Sequence, residues 1–83
     1  MATEGGIVVA AVKELTELDM MILTYLHENR GYHSPYTIGK DIGEPGKVVA
    51  QILDRLAQEG LVRKSRAALV YGITDEGVAV LER

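Results

Sequence analysis

Residues 35–58 read Pro35-Tyr36-Thr37-Ile38-Gly39-Lys40-Asp41-Ile42-Gly43-Glu44-Pro45-Gly46-Lys47-Val48-Val49-Ala50-Gln51-Ile52-Leu53-Asp54-Arg55-Leu56-Ala57-Gln58. Ser34 before Pro35 is a strong helix start: serine caps, and proline loses nothing at the first helical position, where its missing N–H would be unpaired anyway. The short helix carries Ile38 and Ile42 on one side and ends at Gly43, where the chain turns sharply and a positive φ is needed. A second helix begins at Pro45, carries Val49, Ile52, Leu53 and Leu56 on one face, and stops at Gly60. Gly39 falls where the two helices must cross, and only Gly, Ala or Ser fits such an approach.

Upstream, Thr16 and Asp19 have the spacing of a capping box, with a shorter acid in place of Glu. Leu18, Met21, Ile22, Tyr25 and Leu26 then form a stripe at helical spacing, and Asn29-Arg30-Gly31 supplies a stop, predicting a helix over 17–29. Residues 7–12, Ile7-Val8-Val9-Ala10-Ala11-Val12, read as a strand by their β-branching. Val8, Val12 and Leu15 give helical spacing instead, and the helix is favoured. Downstream of Gly60 the period shortens. Residues 61–64 and 69–73 read as two strands joined by Ser65-Arg66-Ala67-Ala68. Thr74 reads as the cap of a last helix, with Asp75 and Glu76 suited to its first turn and Val78, Val80 and Leu81 facing inward. The order α-α-α-β-β-α gives a mainly helical α+β domain over 15–83, with 1–14 as an N-terminal extension that includes a possible extra helix.

At 83 residues the chain is one small domain. With no Phe and no Trp, its core is aliphatic with some Tyr. Hydrophobic content of 47% and charged content of 25% belong to a globular chain. The absence of cysteine excludes disulfides, thiolate chemistry and Cys-ligated zinc, and fits the cytoplasm. The longest apolar run, 7–12, is far short of the roughly 20 residues that span a bilayer. The N-terminus has no basic n-region of a signal peptide.

The formal net charge of −3 is unevenly spread. Residues 1–34 carry two bases and five acids, while 61–73 carry Arg63, Lys64 and Arg66 and no acid. An acidic body with one basic segment suits a partner that is contacted on one face. No acid pairs with a serine or histidine in a catalytic motif, and the glycines are not followed by a phosphate-loop lysine, so no enzymatic activity and no cofactor are expected. His27 and His33 have too few ligands nearby for a metal site.

The 35–58 stretch, read with the basic hairpin after it, resembles the winged helix-turn-helix family. Gln58-Glu59-Gly60-Leu61-Val62 is similar to the E-x-G-L-V join between recognition helix and wing. Ile73-Thr74-Asp75-Glu76-Gly77 followed by Leu81 is similar to the family's lead-in to its last helix. Tyr32-His33-Ser34-Pro35 with Ile38 resembles the start of the second helix in small archaeal and haloarchaeal-phage repressor-like proteins. The resemblance covers about Leu15 to Leu81. It implies a small transcription regulator, a repressor, binding double-stranded DNA as a homodimer. A recognition helix over about 45–59 would lie in the major groove, and a wing over 61–73 on the backbone or minor groove.

Helical geometry makes Lys47 and Gln51 the base-edge candidates, because lysine matches guanine acceptors and glutamine matches adenine. Arg55 falls nearer the groove lip, on phosphate. Lys40, with Ser34 or Thr37, is placed toward the backbone, and Arg63, Lys64 and Arg66 are expected to position the wing. One departure stands out. Such helices usually open with Ser, Thr or Arg, whereas this one opens with Glu44-Pro45-Gly46. That departure and the acidic balance fit an alternative, a winged-helix adaptor for protein partners that has no DNA contact. Asp54, an acid beside Arg55, favours a merely solvated helix face.

Overall fold

The computed structural model describes residues 14–83. The expected apolar element at 7–12 lies outside them. Helix α1 spans Glu17–Glu28, α2 Pro35–Ile42 and α3 Gly46–Gln58. A two-stranded antiparallel sheet follows, β1 Val62–Lys64 and β2 Tyr71–Ile73, and α4 Asp75–Leu81 closes the chain. Among the described residues no helix is long and apolar enough to cross a membrane.

The caps act as the local sequence requires. Asp19 N–H donates to Thr16 Oγ1 at 3.0 Å and Asp19 Oδ2 accepts from Thr16 N–H at 3.0 Å, completing the box that starts α1. Ser34 caps α2 through the Thr37 N–H, and Gly43 ends it at φ 80°. Pro45 lies one residue outside α3, in extended backbone, so the third helix starts at Gly46. A Cβ on Gly39 would fall on the Glu44 carbonyl oxygen and 3.3 Å from the Gly46 nitrogen. The close approach that demands a small residue is thus to the turn backbone leading into α3.

The core joins Ile22, Leu23 and Leu26 of α1, Ile38 of α2, Val49, Leu53 and Leu56 of α3, Val62 of β1 and Tyr71 of β2. The buried face of α1 is rotated from the expected stripe: Leu23 is 0% exposed, whereas Met21 is 41% exposed. Burying Asp19 at the same spacing as Leu23 and Leu26 accounts for the rotation, because its carboxylate is fully enclosed and must meet a partner. That partner is Arg55, whose Nη2 donates to Asp19 Oδ1 at 2.6 Å.

The hairpin pairs Val62 with Ile73, Arg63 with Gly72 and Lys64 with Tyr71. Leu61, Leu69 and Val70, expected in the strands, lie outside them. Ser65 N–H donates to the Val70 carbonyl at 2.9 Å and Val70 N–H to the Ala68 carbonyl at 2.9 Å, so local turns consume the groups a longer ladder would use. The other edge of β2 is also occupied. His33 N–H donates to the Tyr71 carbonyl at 2.9 Å and Tyr71 N–H to the His33 carbonyl at 2.8 Å. The residue preceding the α2 cap therefore forms a third rung beside the hairpin.

The Tyr71 phenol donates to Asp54 Oδ1 at 2.5 Å, tying β2 to one flank of α3. Arg55, the next residue, ties the other flank to α1. Successive helical residues diverge by about 100°, so these two consecutive charges fix the roll of α3 about its axis.

Substituting Gly39→Ala is expected to destabilise the fold by about 1–3 kcal/mol in urea titration, because the backbone it strikes closes the turn and cannot rotate aside. Burial pushes the Tyr71 phenol up to about 12 from 10.0, and the bond to Asp54 acts the same way. A phenol raised on folding favours the folded state fully below its unfolded value and loses that contribution as pH rises toward 12. Urea stability measured from pH 9 upward is therefore expected to fall through this window, and Tyr71→Phe to flatten that part of the profile.

Candidate nucleic-acid interface

With α3 clamped on two flanks, the residues left outward follow from its geometry. Lys47, Gln51, Asp54 and Gln58 lie along one exposed row at i, i+4, i+7 and i+11. Lys47 and Gln51 occupy the first two turns with nothing covering them. Asp54, further along, has its carboxylate occupied by Tyr71. Arg55, expected on phosphate, is engaged within the protein. Its side chain is 43% exposed, but one terminal nitrogen is held by Asp19 and another lies 3.8 Å from Glu59 Oε2. Removing it would strand a buried carboxylate, so its first role is structural.

On α2, Lys40 and Thr37 are exposed. Ser34 is half-buried and fully employed, accepting from the Thr37 N–H at 3.1 Å and donating to Thr37 Oγ1 at 3.0 Å. The Thr37 hydroxyl remains a donor. The Tyr25 phenol bridges α1 to α2 by donating to Asp41 Oδ2 at 2.7 Å, and that bond raises its pKa, with burial and the carboxylate charge adding to the effect.

The three wing bases do not share a face. Directly paired residues of an antiparallel ladder project to the same side. Lys64 therefore projects with Tyr71, toward the side whose phenol reaches α3, while Arg63 projects with Gly72 to the opposite side. There Arg63 lines an open polar cleft with Tyr32, Thr74 and two acids of α4, Asp75 and Glu76. Arg66 stands exposed in the loop between the strands. Among the described residues none of Lys40, Lys47, Arg63, Lys64 and Arg66 is drawn into an ion pair.

The histidines are placed by the fold. His33 lies in the third rung, with Nε2 2.8 Å from the Asn29 carbonyl and its ring edge-on to Tyr25 at 5.6 Å. Among the described residues no three His, Asp or Glu side chains gather to hold a metal ion. Two features of this surface escaped the sequence reading, the Tyr71–Asp54 tie and the sorting of the hairpin bases by face. The second was available in principle from strand alternation once the register was known.

No family model and no curated protein matches the chain. Solved structures do. The PcaV transcriptional regulator from Streptomyces coelicolor, in complex with its natural ligand, is similar with a TM-score of 0.71 at 25% identity, over 86% of this chain and 53% of that one. HmgR from Pseudomonas aeruginosa gives 0.69 at 23% identity over 77% of this chain and 27% of that one. YusO from Bacillus subtilis gives 0.71 at 22% identity over 82% and 51%. The chain thus spans about half the length of two of these proteins and about a quarter of the third. The architecture it shares with them, three helices, a β-hairpin and a closing helix, is the winged helix-turn-helix fold.

Proposed function

We propose that the chain binds double-stranded DNA as a small transcription regulator, a repressor acting as a cytoplasmic homodimer. The observation that carries this reading is the double clamp on α3. It engages the side chains of Asp54 and Arg55 with the protein's own frame and leaves Lys47 and Gln51 bare on the first two turns. Helix α3 would enter the major groove by those turns, with Lys47 and Gln51 at base edges. Lys64 and Arg66 would hold the hairpin to the phosphates, and Lys40 and Thr37 would contact the backbone from α2. Arg63, on the far face of the hairpin, contributes less. The similarity to PcaV, itself a transcriptional regulator, supports the same reading.

As a homodimer the protein would present two α3 helices about 34 Å apart, on a two-fold symmetric site. The apolar run at 7–12 and the exposed side of α4 are the proposed contact. The net charge of −3 favours a second reading, an adaptor for protein partners. That reading predicts no DNA binding even at low salt.

Binding of a labelled random-sequence duplex, followed by anisotropy across a salt series, separates the two. Lys64→Ala with Arg66→Ala is expected to weaken all sequences alike and to lower the salt slope by about two, one per lost phosphate contact. An unchanged slope would remove the wing from the interface. Lys47→Ala is expected to relax preference at one base position by about 1–3 kcal/mol, read by selection from a randomised pool before and after the substitution.

A further inference from the structure

Tyr36 is 66% exposed, yet its ring is not loose. It lies against the first residue of α3: a Cβ on Gly46 would fall on the ring's Cδ1, 2.7 Å from Cε1 and 2.9 Å from Cγ. Gly46 thus gives up a side chain so that an aromatic from α2 can cover the start of α3. The same start lacks a side-chain cap, because Pro45 occupies the cap position and makes no such hydrogen bond. Two tyrosine hydroxyls, those of Tyr25 and Tyr71, are spent on Asp41 and Asp54. Among the described residues nothing takes the Tyr36 hydroxyl. Lys40 lies one turn along the same face of α2, and Lys47 follows Gly46 on α3. Both are exposed cations.

We propose that Tyr36 is a DNA-contacting residue of this surface. Its ring is braced on Gly46 and its hydroxyl donates to a backbone phosphate at the point where α3 enters the groove. The proposal rests on the DNA-binding reading and supplies what Glu44-Pro45-Gly46 lacks, a polar donor at the opening of the recognition helix. The ring rests on the backbone of Gly46, so part of the side-chain freedom is already given up before DNA arrives. The contact is neutral. It adds affinity without releasing a counterion, which distinguishes it from every lysine and arginine of the site.

The test uses the same random-sequence duplex and salt series on the unaltered chain, Tyr36→Phe, and Lys64→Ala with Arg66→Ala, with thermal melts confirming that each variant folds. Tyr36→Phe keeps the ring on Gly46 and removes only the hydroxyl. It is expected to bind roughly 3- to 10-fold more weakly at every salt concentration, with the salt slope unchanged. If Tyr36→Phe binds as the unaltered chain does while the Lys64 and Arg66 substitutions weaken binding, the Tyr36 contact is overturned and the DNA reading stands. If the unaltered chain does not bind the duplex at low salt, both fall together.

Discussion

Helix α3 is held by two consecutive residues of opposite charge pulling in different directions. Arg55 reaches α1, where Asp19 is 0% exposed and already holds the Thr16 N–H that starts that helix. Asp54 receives the phenol of Tyr71, itself fully buried in β2. A buried carboxylate is costly unless it is paired and hydrogen-bonded, and each Asp19 oxygen has a partner, which joins the start of α1 to the last turn of α3. Apolar packing of Val49, Leu53 and Leu56 brings α3 against the core, but a row of aliphatic side chains tolerates some rotation. The two polar ties remove it, and the direction in which Lys47 and Gln51 point follows.

The same ties alter the meaning of the chain's acidic balance. A net charge of −3 opposes a polyanionic partner only to the extent that the acids lie free on the approaching face. Asp19 is enclosed and paired with Arg55, while Asp41 and Asp54 stay exposed and charged, each accepting a tyrosine hydroxyl. The acids of α4 lie with Arg63, on the side of the hairpin turned away from the Tyr71–Asp54 tie. Only the Arg55 pair takes the Asp19 charge out of the count, and the acids of α4 lie away from Lys64, whereas Glu44 and Asp54 keep their charges on the side of Lys47.

What could be read from the sequence was local. The Thr16–Asp19 box, the Ser34-Pro35 start and the Gly43 stop each depend on residues within one turn, and the structure reproduces them. Gly39 was legible as a point of close approach, although the partner is the turn backbone at Glu44. The misreadings were long-range. Met21 and Leu23 are equally apolar, and only the partner of Asp19, 36 residues away, decides which of them turns inward. The bond that Asp54 accepts was hidden in the same way, because its donor, Tyr71, lies 17 residues away. The strands were drawn too long because Leu69 and Val70 carry strand-like side chains while their backbone groups close turns. At the interface, the candidate residues could be enumerated from helical and strand periodicity. Their division between hairpin faces required the ladder register.

The rung formed by His33 leaves β2 bonded along both of its edges, to β1 on one side and to the segment entering α2 on the other. Residues 65–70 thus project from a base whose alignment does not depend on them. Evolution is free to lengthen, shorten or recharge that tip without disturbing the register beneath it. Under the proposed DNA-binding role, the strength of the grip would drift from one descendant to another while α3 stayed where it is.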